Sequence, residues 1–115
     1  MIPFKLSDNL DHTWIFDLDG TILKHNGWQN EEELLPGVKD LWDQIPAEDC
    51  IILMSARNTK YKDRTLKFLN DNNIRYDHCI FDLPTGERIL VNDKKPQGLL
   101  TAITWNIDRD GGFLK

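Results

Sequence analysis

Apolar residues in this chain fall into short runs separated by polar stretches that carry glycine and proline. His12-Thr-Trp-Ile-Phe-Asp17 is the first run, stopped by acids and a glycine, and Cys50-Ile-Ile-Leu-Met-Ser55 is the second. Unbroken apolar runs of this length predict strands buried on both faces. Residues 74–81, 88–93 and 102–105 predict a third, a fourth and a fifth strand. Between the first two, Val38, Leu41, Trp42 and Ile45 recur at i, i+3, i+4 and i+7 behind Pro36-Gly37, and Pro46 follows. That spacing predicts an amphipathic helix with proline near its start. Residues 60–72 predict a second helix burying Tyr61, Leu66, Phe68 and Leu69, with Asn72-Asn73 as its stop. Residues 20–35 read as polar and irregular, turning at Gly20 and Gly27.

Strands alternating with helices predict an α/β fold: a three-layer, Rossmann-like arrangement with a mainly parallel sheet of about five strands and helices on both faces. The 82–87 connection, with Pro84 and Gly86, is too short for a helical crossover. An antiparallel hairpin within 74–91 is therefore the alternative for that part of the sheet.

Length limits the chain to one domain, residues 1–115, because 115 residues support a single core. A hydrophobic content of 40% and a charged content of 29% are those of an ordinary water-soluble domain. No apolar run reaches membrane-span length and no leader pattern opens the chain, so the expected location is the cytoplasm and no membrane partner is expected. Cys50 and Cys79 lack the spacing of a zinc or redox pair and read as buried, reduced thiols. The net charge of −5 disfavours nucleic acid as a partner. A small phosphorylated substrate is compatible with it, because a metal ion and a few local cations outweigh the global charge. The Glu31-Glu32-Glu33 run reads as a solvated first helical turn. Oligomeric state is left open by the sequence.

In a parallel sheet, ligands bind beyond the carboxyl ends of the strands. Asp17-Leu-Asp19-Gly-Thr21, Ser55-Ala56-Arg57 and Asn92-Asp93 all fall at such ends and are expected to converge. Asp17, Asp19 and Asp93 would form a carboxylate cluster, and clustered carboxylates call for a shared proton or a hard cation, of which Mg2+ suits oxygen ligands. A carboxylate beside a phosphoryl group is a competent nucleophile, a second one can move protons, and a serine hydroxyl can bind a phosphate oxygen. Asp17, Asp19 and Ser55 are the candidates for these three tasks. Arg57, directly after the serine, is placed to meet the substrate. His25 and Trp28 either close over the site or simply pack.

Phe16-Asp17-Leu18-Asp19-Gly20-Thr21 resembles the first motif, D-x-D-x-T, of the haloacid dehalogenase-like phosphatases. Ile52–Ser55 resembles their second motif and Leu90–Asp93 their fourth, in the family's order; the resemblance spans about residues 13–96. It implies Asp17 as nucleophile and Asp19 as general acid/base. It also implies Thr21, Ser55, Ala56 and Arg57 around the substrate, and magnesium on Asp17, the Asp19 carbonyl and Asp93. Two departures stand out. Asn92-Asp93 replaces a pair of acids. The third motif's basic residue is missing from its place, where Leu83-Pro84 stands; Lys95 is the first substitute and Arg88 the second. Segments 20–35 and 82–87 are too short for a cap domain, so the resemblance implies a capless phosphatase of a small phosphate ester, such as a phosphosugar. A phosphotransferase using the same intermediate, and a non-enzymatic phosphate-binding scaffold, are the competing functions.

Overall fold

A computed structural model describes residues 2–113. Its sheet holds three parallel strands in the order β1 (Thr13–Asp17), β2 (Cys50–Met54), β3 (His78–Ile80). Helices α1 (Val38–Gln44) and α2 (Lys62–Asp71) occupy the two connections. The register sets Trp14 beside Ile51, Phe16 beside Leu53, and Leu53 beside Cys79. Since side chains alternate along a strand, these residues share one face. That face carries the core: Phe16, Ile51 and Leu53 pack with Val38, Leu41 and Trp42 of α1 and Leu69 of α2. Phe16 and Trp42 meet with ring centroids 4.5 Å apart, a pair worth about 0.5–1.5 kcal/mol beyond its buried area.

The apolar runs 12–17 and 50–55 do form strands, but β1 is not buried on both faces. Ile15 and Ile80, on the sheet face away from the helices, are each 45% exposed. The expected fourth and fifth strands are not formed. Residues 86–104 are exposed throughout, with Ile89 at 86% and Val91 at 87%; their one ladder contact is a Lys94–Leu100 bridge closing a small turn. An apolar run counts as a strand only where its backbone pairs with another strand; residues 88–93 and 102–105 pair with none, and the outer edge of β1 is left unpaired by any named strand. The hairpin alternative for 74–91 is likewise not adopted, because β3 runs parallel to β2.

Both helices lie where periodicity puts them. α1 follows Pro36, starts from Gly37 at φ 79° and ends before Pro46, with Val38, Leu41, Trp42 and Ile45 all buried. α2 is entered through a 3-10 turn, Thr59–Tyr61, whose Lys60 N–H is capped by the Asn58 side chain at 2.9 Å. It stops at Asn72, ahead of Asn73 at φ 59°. Leu69 is buried, Tyr61, Leu66 and Phe68 are half-buried, and the unanticipated Thr65 is fully buried. No helix among the described residues is long and apolar enough to cross a membrane, and no inserted cap is seen among them.

Candidate active site

The chain leaves β1 through a tight turn in which the Leu18 carbonyl accepts from the N–H groups of Thr21, Ile22 and Leu23 at 3.0–3.2 Å. Leu18, Ile22 and Leu23 are completely buried, so the turn is nailed to the core while Asp17, Asp19 and Thr21 stay half-exposed at the sheet's carboxyl edge. Residues 20–35 are thus less irregular than their polarity suggests. Leu35 N–H donates to Ile22 and Lys24 N–H to Glu33 across a short antiparallel arm.

Asp17 closes β1. Its Oδ2 accepts from the Thr21 hydroxyl at 3.1 Å and its Oδ1 from Arg88 Nη1 at 2.7 Å. Asp19 faces the turn after β2. There it accepts from the Ser55 hydroxyl at 3.2 Å, and from Arg57 Nε and Nη2 at 3.0 and 2.8 Å. The Arg57 side chain is only 1% exposed. Its remaining hydrogens go to Glu32, at 2.5 and 3.0 Å, and to the Thr65 hydroxyl at 2.9 Å. Burial by itself would lower the pKa of this guanidinium, but hydrogen bonds to Glu32 and Asp19 and their charges outweigh it, and the net direction is upward.

The chain beyond β3 explains which cation reaches Asp17. Asp82 N–H donates to the Arg57 carbonyl at 2.9 Å and Leu83 N–H to that of Ser55 at 3.1 Å. The Asp82 carboxylate accepts from the N–H and hydroxyl of Thr59. Residues 82–88 therefore run across the ends of the strands rather than back along the sheet, and they deliver Arg88. Lys95, the first choice from sequence for this role, sits in the exposed 94–100 turn, where its N–H donates to Leu99. Arg88 occupies the position expected of Lys95.

The structure brings together Asp17, Asp19, Thr21, Ser55 and Arg57, with exposed Ala56 between the last two. It does not bring in Asp93. That residue is exposed, and its carbonyl accepts from the Thr101 hydroxyl. Among the described residues no three His, Cys, Asp or Glu side chains are grouped to hold a metal ion. Of the loop residues, Trp28 packs its ring on Tyr61 at 4.6 Å and His25 donates its N–H to Asp110 at 2.8 Å.

Sequence reasoning missed Glu32, Thr65, Asp82 and the segment 108–113. Glu32 is not solvated; its side chain is 9% exposed, because a buried arginine needs its counter-charge. A hollow of about 560 Å³ opens between Lys24–Gly27 and Asn30–Glu33, and Glu32 forms part of its wall. Segment 108–113 folds back onto the β1 turn. Asp110, at φ 61°, donates its N–H to the Gly20 carbonyl at 2.9 Å, and Phe113 donates to Pro36 at 2.8 Å. Asp110-Gly111-Gly112 was the signal available for a turn there.

The cysteines are free and half-buried. Burial pushes the Cys79 thiol from its ordinary 9.0 up to about 11, against a weaker downward pull from Lys62 and Arg57.

Compared with family models, with curated proteins and with solved structures, the chain matches none.

Proposed function

We propose that the chain is a cytoplasmic phosphatase of small phosphate monoesters that works through an aspartyl-phosphate on Asp17. One observation carries this: three segments distant in sequence place two carboxylates, a serine hydroxyl and two arginines at one end of the sheet, with Asp17 and Asp19 in separate hydrogen-bond environments. Paired acids with different surroundings are suited to different roles. The resemblance of residues 16–21 to the haloacid dehalogenase-like phosphatases points the same way.

An oxygen of Asp17 attacks phosphorus, the bond from phosphorus to the ester oxygen breaks, and Asp19 gives its proton to the departing alkoxide. Asp19 then takes a proton from water, whose oxygen attacks the acyl phosphate, releasing phosphate and restoring Asp17. Arg88 offsets charge on the nucleophile and the transferring group, and Ser55, whose hydroxyl hydrogen turns from Asp19 when that acid carries its proton, offers it to a phosphate oxygen. Arg57 holds Asp19 in place.

Magnesium belongs to the proposal through the donor chemistry, since carboxylate and carbonyl oxygens are what it takes. The positions seen do not close around an ion: arginines hold both Asp17 and Asp19, and Asp93 stands apart. No step above is routed through it.

The fuller sheet belongs to the proposal too. Ile89 and Val91, each more than four-fifths exposed, and the unpaired edge of β1 support residues 88–93, and beyond them 102–105, as further strands of a three-layer, Rossmann-like fold. An extended 88–93 segment spans about 16 Å. Arg88 on Asp17 and Asp93 beside Asp17 therefore belong to alternative states.

Rapid acid quench during turnover of p-nitrophenyl phosphate with magnesium tests the mechanism. A base-labile phosphoryl group on the peptide containing Asp17, absent from Asp17→Asn, is the expected result. Steady turnover by Asp17→Asn at the wild-type rate refutes it.

A further inference from the structure

Five arginines are present, and four of them are engaged. Arg57 holds Asp19 and Glu32, Arg64 donates to the Trp28 carbonyl, Arg75 to the carbonyls of Pro46 and Asp49, and Arg88 to Asp17. The guanidinium of Arg109 makes no hydrogen bond or ion pair among the described residues. Yet Arg109 is not a loosely tethered surface residue. Its neighbour Asp110 is bonded once to the turn after β1, through the Gly20 carbonyl, and once to the arm that follows, through the His25 N–H, and Gly111 N–H closes a turn on Asp108 at 3.1 Å. The Arg109 stem lies on Gly20, where an added Cβ would meet Cγ at 3.1 Å. Gly20 directly follows Asp19, so an exposed, unneutralised cation is mounted on the turn that carries the proposed acid/base.

We propose that Arg109 is the specificity residue of the site and that the substrate carries a second anionic group, a carboxylate or another phosphate, which Arg109 receives. This rests on the phosphatase proposal. The two arginines nearest the reacting centre are each held by a carboxylate, so they offer a second substrate anion little, whereas Arg109 has no such partner to give up. With no cap among the described residues, selection among phosphate esters falls to residues on this rim, and segment 108–113 is bonded onto it. A guanidinium gives either anion paired, charge-assisted hydrogen bonds.

Steady-state kinetics on three two-carbon esters test the assignment: ethyl phosphate, phosphoglycolate and ethylene glycol bisphosphate. Wild type is expected to favour one or both of the doubly anionic esters through a lower KM. Arg109→Met, which keeps the stem over Gly20, should reduce that preference about ten- to a hundredfold, and Arg109→Lys should restore part of it. The favoured ester identifies the anion as carboxylate or phosphate. Equal losses on all three esters would make Arg109 a structural prop, and a wild type without preference would overturn the assignment directly. Should Arg109→Met fail to fold, wild-type salt dependence decides: a preference that falls steeply with added salt supports the ion contact, and a flat one overturns it. Failure of wild type to turn over any phosphate ester, p-nitrophenyl phosphate included, sinks the parent proposal and is distinct from all of these.

Discussion

Arg88 places Nη1 2.7 Å from the Asp17 carboxylate, joining residues 71 positions apart in the sequence. Both side chains are about one-third exposed, so the pair contributes no more than about 1 kcal/mol to stability. In the proposed mechanism its weight falls on chemistry. Arg88→Ala should lower phosphatase kcat by about 10²–10³-fold, as loss of a charge-stabilising group does, while the melting temperature barely moves. Lys95→Ala should have little effect on either. Assaying both variants on p-nitrophenyl phosphate decides it, and a greater loss from Lys95→Ala would restore Lys95 to the role.

Arg57 should behave in the opposite way. Its buried guanidinium faces Asp19, Glu32 and Thr65, and removing it leaves two carboxylates confronting each other with no cation between them. Arg57→Met should therefore destabilise by about 3–5 kcal/mol, measured by urea unfolding. Thr65→Val, which removes one neutral partner, should cost about 1–2 kcal/mol. Equal, small effects from both would mean that the network is not closed in solution.

Gly37 and Gly20 are needed for conformation and for space. Gly37 has φ 79°, and a Cβ there would strike the carbonyl of Phe113; Gly20 has φ 86°, beneath Arg109. Gly37→Ala should cost more than about 2 kcal/mol, since it adds a backbone clash to the strain of a left-handed conformation. Gly20→Ala, which meets a side chain able to shift, should cost about 1–2 kcal/mol. Thermal unfolding should rank them in that order.

The Cys79 thiol supplies a pH test. Its folded-state pKa is raised to about 11 from an ordinary 9.0, so the folded protein holds the thiol proton more tightly than the unfolded chain. Its contribution to stability is complete below about pH 9, declines as pH rises from there, and is lost above about pH 11. Relative to Cys79→Ala, wild type should lose stability across this window and not below it. Alkylation by iodoacetamide near pH 8 should be slow for the same reason.

How far the sequence could be read depended on what kind of information each residue carries. The apolar runs and the i, i+3, i+4, i+7 spacing placed β1, β2 and both helices, because burial and period are local properties. Asp17, Asp19, Ser55 and Arg57 could be brought to one edge because parallel strands end together. The 88–93 run forms no strand in the structure, because an apolar sequence states a need for cover without naming the partner. Reading 88–93 as a strand puts Lys95 ahead of Arg88; with Asp82 and Leu83 bonded to the strand-end loop, the chain crosses the edge and Arg88 is the cation beside Asp17. Glu32 and Asp110 were invisible for a related reason, since their partners lie 25 and 85 positions away.

The bonds from segment 108–113 to Gly20, His25 and Pro36 also set an order of events during synthesis. β1, α1 and β2 can associate once the first half of the chain has left the ribosome, because their contacts lie within it. The turn carrying Asp19 is seated early by its own buried leucines, but its outer brace, the Asp110 bonds to Gly20 and His25, is added only once residue 110 has emerged. A nascent or proteolytically shortened chain lacking these residues should form its sheet and turn yet leave Gly20, next to Asp19, without this brace, so that the proposed activity arrives last and is the first property lost to trimming.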